Sequence, residues 1–145
     1  MIHSLSFKEA STHMKARGVR EDDVEEALSF FHQLGDLYWL NEVGLRDIVV
    51  LDPFEYFVRP IRLIICDPLL HTKGTTHETC DRDSIPYVEY KKGKLRRSLL
   101  NELLEKWKDS VDKIVLLMLK LGLMTKISDD IYLVPSLLEL SLIHI

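Results

Sequence analysis

Val24-Glu-Glu-Ala-Leu-Ser-Phe-Phe-His-Gln-Leu34, Gly35, then Leu37-Tyr-Trp-Leu40, Asn41-Glu-Val-Gly44 and Ile48-Val-Val-Leu51 closed by Asp52-Pro53 is the stretch that decides the fold. It reads as an apolar-striped helix, a terminating glycine, a strand, a polar turn and a second strand stopped by proline. The pattern returns in the same order as Ile114 to Leu121, Gly122, Leu123 to Ile127, Ser128 to Asp130, then Ile131 to Val134 and Pro135. A helix followed by a two-stranded wing is the back half of a winged-helix unit. Units of that kind are binding or coupling modules more often than catalysts.

The remaining chain is read outward from those copies. Ser6 and Glu9 form a capping box, so a helix is predicted over Phe7 to Arg17, with Gly18 ending it. The acids Glu21, Asp22, Asp23, Glu25 and Glu26 lie at the positive end of the next helix, predicted over Asp22 to Leu34, whose buried face is Val24, Ala27, Leu28, Phe31 and Leu34. Asp36 to Leu40 and Arg46 to Leu51 read as a hairpin. Asp52 caps a further helix with Pro53 at its first position and Phe54, Phe57, Val58, Ile61 and Ile65 on its core face, and Pro60 is expected to kink or stop it. Cys66 to Ser84 reads as the longest loop and Ile85 to Tyr90 as a short strand. Leu99, Leu100, Leu103, Leu104 and Trp107 stripe one more helix. Asp109 or Ser110 caps the last, with Val111, Ile114, Val115, Met118 and Leu121 inward.

These elements predict a mainly α protein with small β-hairpins, an α+β class, built as tandem winged-helix-like units. The first, residues 1–52, has no leading helix and reads as truncated at its N-terminus; the second, 53–138, looks complete; residues 139–145 read as a cut strand or a non-native tail. The chain is accordingly expected to be a fragment.

Composition narrows the function classes. A chain of 145 residues, 46% hydrophobic and 29% charged, can bury a core of its own. Its formal net charge of -4 disfavours indiscriminate binding to nucleic acid or acidic membranes. The longest apolar run, Ile114 to Met124, is broken by Lys120 and Gly122 and is too short to span a bilayer. No basic-then-apolar leader opens the sequence, so a cytoplasmic protein with Cys66 and Cys80 as reduced thiols is expected.

Glu26 to Leu37 followed by Leu45 to Pro53, together with Leu99 to Trp107, Leu117 to Gly122 and Tyr132 to Leu138, resembles the COR region of Roco proteins, the segment C-terminal to a Ras-like GTPase domain named Roc. The resemblance implies a regulatory, dimer-forming module that couples the nucleotide state of an adjacent Roc domain to partner domains, with the Roc domain or a second copy as partner. Family members often carry Trp two residues after the Asp-Pro; here that position is Glu55, with Phe54, Tyr56 and Phe57 around it. The chain has neither a phosphate-cradling G-x-x-x-x-G-K-[ST] loop nor kinase signatures. GTPase or kinase chemistry would belong to other parts of a parent protein, and no enzyme activity or cofactor is expected of this chain.

Some single residues admit sharper roles. Leu34, Gly35, Leu51, Asp52, Pro53, Leu121, Gly122 and Pro135 are motif residues with structural work, helix ends and strand stops. Trp39, Phe54, Tyr56 and Phe57 are candidate interface aromatics, because adjacent aromatics cannot all face one core. Cys66, His71, His77 and Cys80 are zinc-competent types in a spacing that matches no standard finger, so no metal is expected. His13 and His32 read as helix side chains without a nucleophile nearby. Lys91, Lys92, Lys94, Arg96 and Arg97 could grip phosphates or simply flank a turn. Two alternatives to the regulatory reading are a nucleic-acid-binding winged helix, disfavoured by the acidic start of the first wing's helix, and the winged-helix arm of a signalling ATPase of the STAND type.

Overall fold

The structure, a computed structural model, describes residues 4–65 and 76–138. It is α+β, mainly helical with two small antiparallel sheets. The chain divides into two compact units, Met1–Arg59 and Pro60–Ile145. The division falls inside the helix expected to open the second unit.

In the first unit, strand β1 (Ser4–Leu5) leads into helix α1 (Phe7–Ala16), whose capping box is formed as expected, Ser6 Oγ accepting from Glu9 N at 3.1 Å and Glu9 Oε1 from Ser6 N at 3.2 Å. A 3-10 turn at Glu21–Asp23 precedes α2 (Val24–Leu34). Gly35, at φ 82°, lets its own N–H bond to His32 O at 3.0 Å and that of Asp36 to Phe31 O at 3.0 Å, which satisfies two of the orphan carbonyls at the helix end. Strand β2 (Val49–Val50) pairs antiparallel with β1, Ser4 opposite Val50, and the other edge of Val50 bridges Tyr38. The core gathers Leu5, Ala10, Val24, Leu28, Trp39 and Val49.

Several expectations are corrected here. The hairpin from Asp36 to Leu51 shrinks to the single Tyr38–Val50 bridge, because residues 43–47 fold into helical turns, with Leu45 N and Arg46 N both bonded to Glu42 O. That turn buries Leu45 and presents Arg46 O to the Trp39 indole at 2.7 Å, which an extended strand would not do. Phe31 and Leu34, expected inside, are exposed. The core of this unit takes Val24 and Leu28 from α2, so the apolar stripe is buried only along the first turns of the helix.

Asp52 does cap the next helical segment, its Oδ1 accepting from Glu55 N at 3.3 Å. The backbone then widens into a π turn over Phe54–Val58, with Arg59 N reaching back to Phe54 O, before helix α3 (Arg59–Ile65). The wider register replaces the kink expected at Pro60: in an α-helix the proline ring would strike the carbonyl four residues back, and one extra residue in the turn relieves it. It also rotates the expected core face, leaving Phe54 and Val58 exposed and Phe57 half-buried, while Ile61 and Ile64 are buried.

In the second unit, a 3-10 turn at Thr76–Thr79 precedes helix α4 (Ile85–Lys91). This helix corrects the expected strand: Ser84 Oγ accepts from Tyr87 N at 3.4 Å, Pro86 sits in the first turn, and Tyr87 and Tyr90 share its buried face. Strand β3 (Lys94–Arg96), α5 (Arg97–Leu103), a 3-10 segment at Glu105–Ser110 and α6 (Val111–Lys120) come next. The 3-10 segment takes Trp107 out of the striped helix, and Ser110 precedes α6 without a side-chain cap bond. Leu117 is buried on α6 and Leu121, expected inside, is exposed. Gly122, at φ 73°, repeats the Gly35 arrangement, with Gly122 N on Leu119 O and Leu123 N on Met118 O. Strands β4 (Thr125–Ser128) and β5 (Ile131–Leu133) form the second hairpin as expected, and β3 completes the sheet in the order β3-β5-β4.

Candidate functional site

The elements place the candidate residues in three groups. The first is structural. Leu34 and Gly35 end α2, and Leu121 and Gly122 end α6. Leu51, Asp52 and Pro53 lead from β2 into the π turn, and Pro135 opens the helical turn after β5.

The second group is the tyrosine and histidine cluster of the second unit, which the sequence left inside a loop. Carbonyls of α3 meet side chains from elsewhere in this unit. His77 Nε2 lies 2.8 Å from Leu63 O, Tyr90 Oη donates to Ile64 O at 2.6 Å, and Ser136 Oγ donates to Ile65 O at 3.3 Å. Three side chains from distant parts of the chain thus reach consecutive carbonyls of one helix. With Nε2–H donating to Leu63, Nδ1 is the acceptor for Tyr87 Oη at 3.0 Å, and the ring stacks on Tyr90 at 5.7 Å. Burial lowers the His77 pKa below the ordinary histidine value, the Leu63 carbonyl pulls the other way, and the charge of Arg82 adds to the lowering. Cys80 donates to Thr76 O at 3.2 Å, and its thiol is pushed up to about 11, first by burial and then by Glu102.

Both ring nitrogens of His77 are therefore engaged, which leaves no lone pair for a metal. Cys66 and His71 lie outside the described residues. Among the described residues no group of three or more His, Cys, Asp or Glu is placed to hold a metal ion. His32 is also structural, its Nδ1 accepting from Trp39 N at 3.2 Å. His13 is exposed on α1.

The third group is the surface. Of the candidate interface aromatics, Trp39 is corrected: it is 1% exposed, its indole is bonded to Arg46 O, and it belongs to the core. Phe54 is 60% exposed, Tyr56 is half-buried, and Phe57 stacks on Tyr38 with ring centroids 4.4 Å apart. On α2, Phe30 at 56% and Leu34 at 58% join Phe31 as an uncovered apolar end. The signal for it was present in the sequence as two adjacent phenylalanines, one more than a single helical stripe can bury.

Four of the five cations of the basic run, all but Lys92, have partners among the described residues. Arg96 and Lys94 both pair with Glu89, at 2.8 and 3.7 Å, and this draws the Glu89 carboxyl below its usual range, the Arg96 hydrogen bond leading. Arg97 donates to Asp112 at 2.6 Å and to Asn101 and Tyr132. Lys91 lies over the Tyr87 ring at 5.4 Å. No described helix is long and apolar enough to cross a membrane.

No protein-family model matches the sequence, and no curated protein matches it. Among solved structures the chain is similar to Methanosarcina barkeri Roco2 RocCORdC bound to GDP, with a TM-score of 0.63 and 23% identity over 94% of this chain. The chain spans 39% of that structure's chain. The likeness is one of fold, and the fold is COR-like.

Proposed function

We propose that this chain is a non-catalytic regulatory module of a Roco-type GTPase, a COR region of two winged-helix-like units acting in the cytoplasm. In this reading it couples the nucleotide state of an adjacent Roc domain to partner domains, and it meets that domain or a second copy of itself through apolar faces. The observation that carries the reading is the COR-like fold over 94% of the chain. The order of strands supports it further: first, third, second in both units, counting the Tyr38 bridge as a strand position. The uncovered end of α2 supplies a face on which a neighbour could act, and a neighbour that covers it in one nucleotide state only would bias a two-state arrangement.

The test is a titration of the labelled chain with the GTPase domain encoded beside it, loaded with GDP or with a non-hydrolysable GTP analogue. Coupling of the usual size gives affinities differing about 5- to 150-fold between the two states. Equal affinities would remove the coupling, and a neighbouring gene segment without a Ras-like nucleotide-binding domain would remove the Roco assignment altogether.

A further inference from the structure

Ion pairing along α2 is selective. Asp22, Glu26, Phe30 and Leu34 stand four residues apart on one exposed row that runs from the 3-10 turn along the helix, with Phe30 56% and Leu34 58% exposed. The other acids of this helix start are matched from within the first unit: Glu21 by Lys15 at 2.9 Å, Asp23 by Arg20 at 2.9 Å, and Glu25 by Arg46, which also lies over the Phe7 ring at 4.5 Å. Asp22 and Glu26, the two acids on the row, have no ion-pair partner among the described residues. The row is therefore acidic toward the N-terminal end of α2 and apolar toward its C-terminal end, and both parts face solvent.

We propose that this row is the docking site of a basic amphipathic helix from a partner protein, lying antiparallel to α2. The two unmatched carboxylates recognise Lys or Arg, and Phe30 and Leu34 recognise aliphatic side chains. The partner segment is helical because a helix face offers no backbone ladder. An extended peptide laid on phenylalanine and leucine side chains would leave its amides unsatisfied, whereas a helix bonds its amides internally. The charges set the direction. Antiparallel, the partner sets two apolar residues near its N-terminus against Leu34 and Phe30, and two cations in its last turns against Glu26 and Asp22. Cations at a helix C-terminus and acids at a helix N-terminus are each favoured by the dipole of their own helix, so this arrangement suits both helices. Parallel docking would put the cations at the partner's N-terminus, where its dipole opposes them. The row from Asp22 to Leu34 rises about 18 Å, which asks about 13 residues of the partner.

The inference rests on the proposed reading of α2 as a contact face and names the chemistry that covers it. The probe is a labelled helical peptide of about 18 residues, built on alanine and glutamine, whose successive fourth positions read Leu, Leu, Lys, Lys from the N-terminal end. A control peptide of the same composition reads Lys, Lys, Leu, Leu. Fluorescence anisotropy with the whole chain should show the first peptide binding at least about tenfold more tightly than the control, with an affinity that falls as salt is added. Glu26→Lys, which sets like charges face to face, and Phe30→Ala, which removes the apolar contact, should each weaken it about tenfold. Both positions are exposed, and circular dichroism checks that the variants keep their fold. Equal affinity for the two peptides, indifference to both substitutions, or no binding up to about 1 mM would overturn the docking site and leave the titration with the GTPase domain standing. A dimer of the chain alone, seen by sedimentation and broken by Phe30→Ala, would assign the row to a second copy and overturn the basic helix as its occupant.

Discussion

His77 holds its place by being neutral. Its two nitrogens are committed to Leu63 O and Tyr87 Oη, and burial lowers its pKa, so the folded chain binds the proton less readily than the unfolded chain does near pH 6.5. Stability contributed by this group is present above about pH 6.5 and is lost as the pH falls from there toward the lowered folded value, where the unfolded state binds more protons. Urea denaturation across pH 7.5 to 5 should show that slope, and His77→Asn should flatten it while costing about 1–3 kcal/mol at pH 7.5 through the unsatisfied Leu63 carbonyl. An unchanged slope would mean that the other histidines carry the dependence. Trp39 is the corresponding residue of the first unit. Its ring lies in the core with Leu28 and Val49 and its indole N–H is spent on Arg46 O, so Trp39→Ala should cost about 3–5 kcal/mol in chemical denaturation. A loss below about 1 kcal/mol would fit a surface aromatic instead.

At the scale of elements, the two Leu-Gly sequences are one device used twice. Gly35 and Gly122 adopt the left-handed conformation in open space, so Gly35→Ala and Gly122→Ala should each cost about 1–2 kcal/mol, the backbone penalty alone. Gly93 also has positive φ, and a Cβ there would lie 3.2 Å from Leu138 N and 3.3 Å from Val134 O, so thermal melts should rank Gly93→Ala as the most damaging of the three. Equal melting temperatures would remove the crowding argument. These helix ends were legible in sequence because Gly after a periodic stripe has a local cause, and the same holds for the Ser6 box and the second hairpin. What escaped had a non-local cause. Residues 43–47 turn helically to seat Leu45 and to serve the Trp39 indole. The π turn answers Pro60 from the preceding residues, and Ile85, Tyr87, Val88 and Tyr90 of α4 are β-branched and aromatic types that favour a strand, although Ser84 and Pro86 mark a helix start.

Over the whole molecule, the second hairpin was legible, whereas the strands β1 and β3 that complete the two sheets, and the distribution of charge, were not. The sequence shows Lys91 to Arg97 as a dense basic run, but it cannot show that Glu89 reaches Lys94 and Arg96 or that Asp112, fifteen residues on, reaches Arg97. Phosphate binding by this run would need those pairs broken, and each phosphate contact contributes only through cations free to displace counterions. With a net charge of -4 adding general repulsion, the native chain is expected to leave a short DNA duplex unshifted at about 50 mM salt. Glu89→Gln with Asp112→Asn should release Lys94, Arg96 and Arg97 and bring in weak binding that falls steeply with added salt. Retardation by the native chain, with the same salt dependence as the double variant, would show that the pairs do not restrain the cations and would return the nucleic-acid reading to contention.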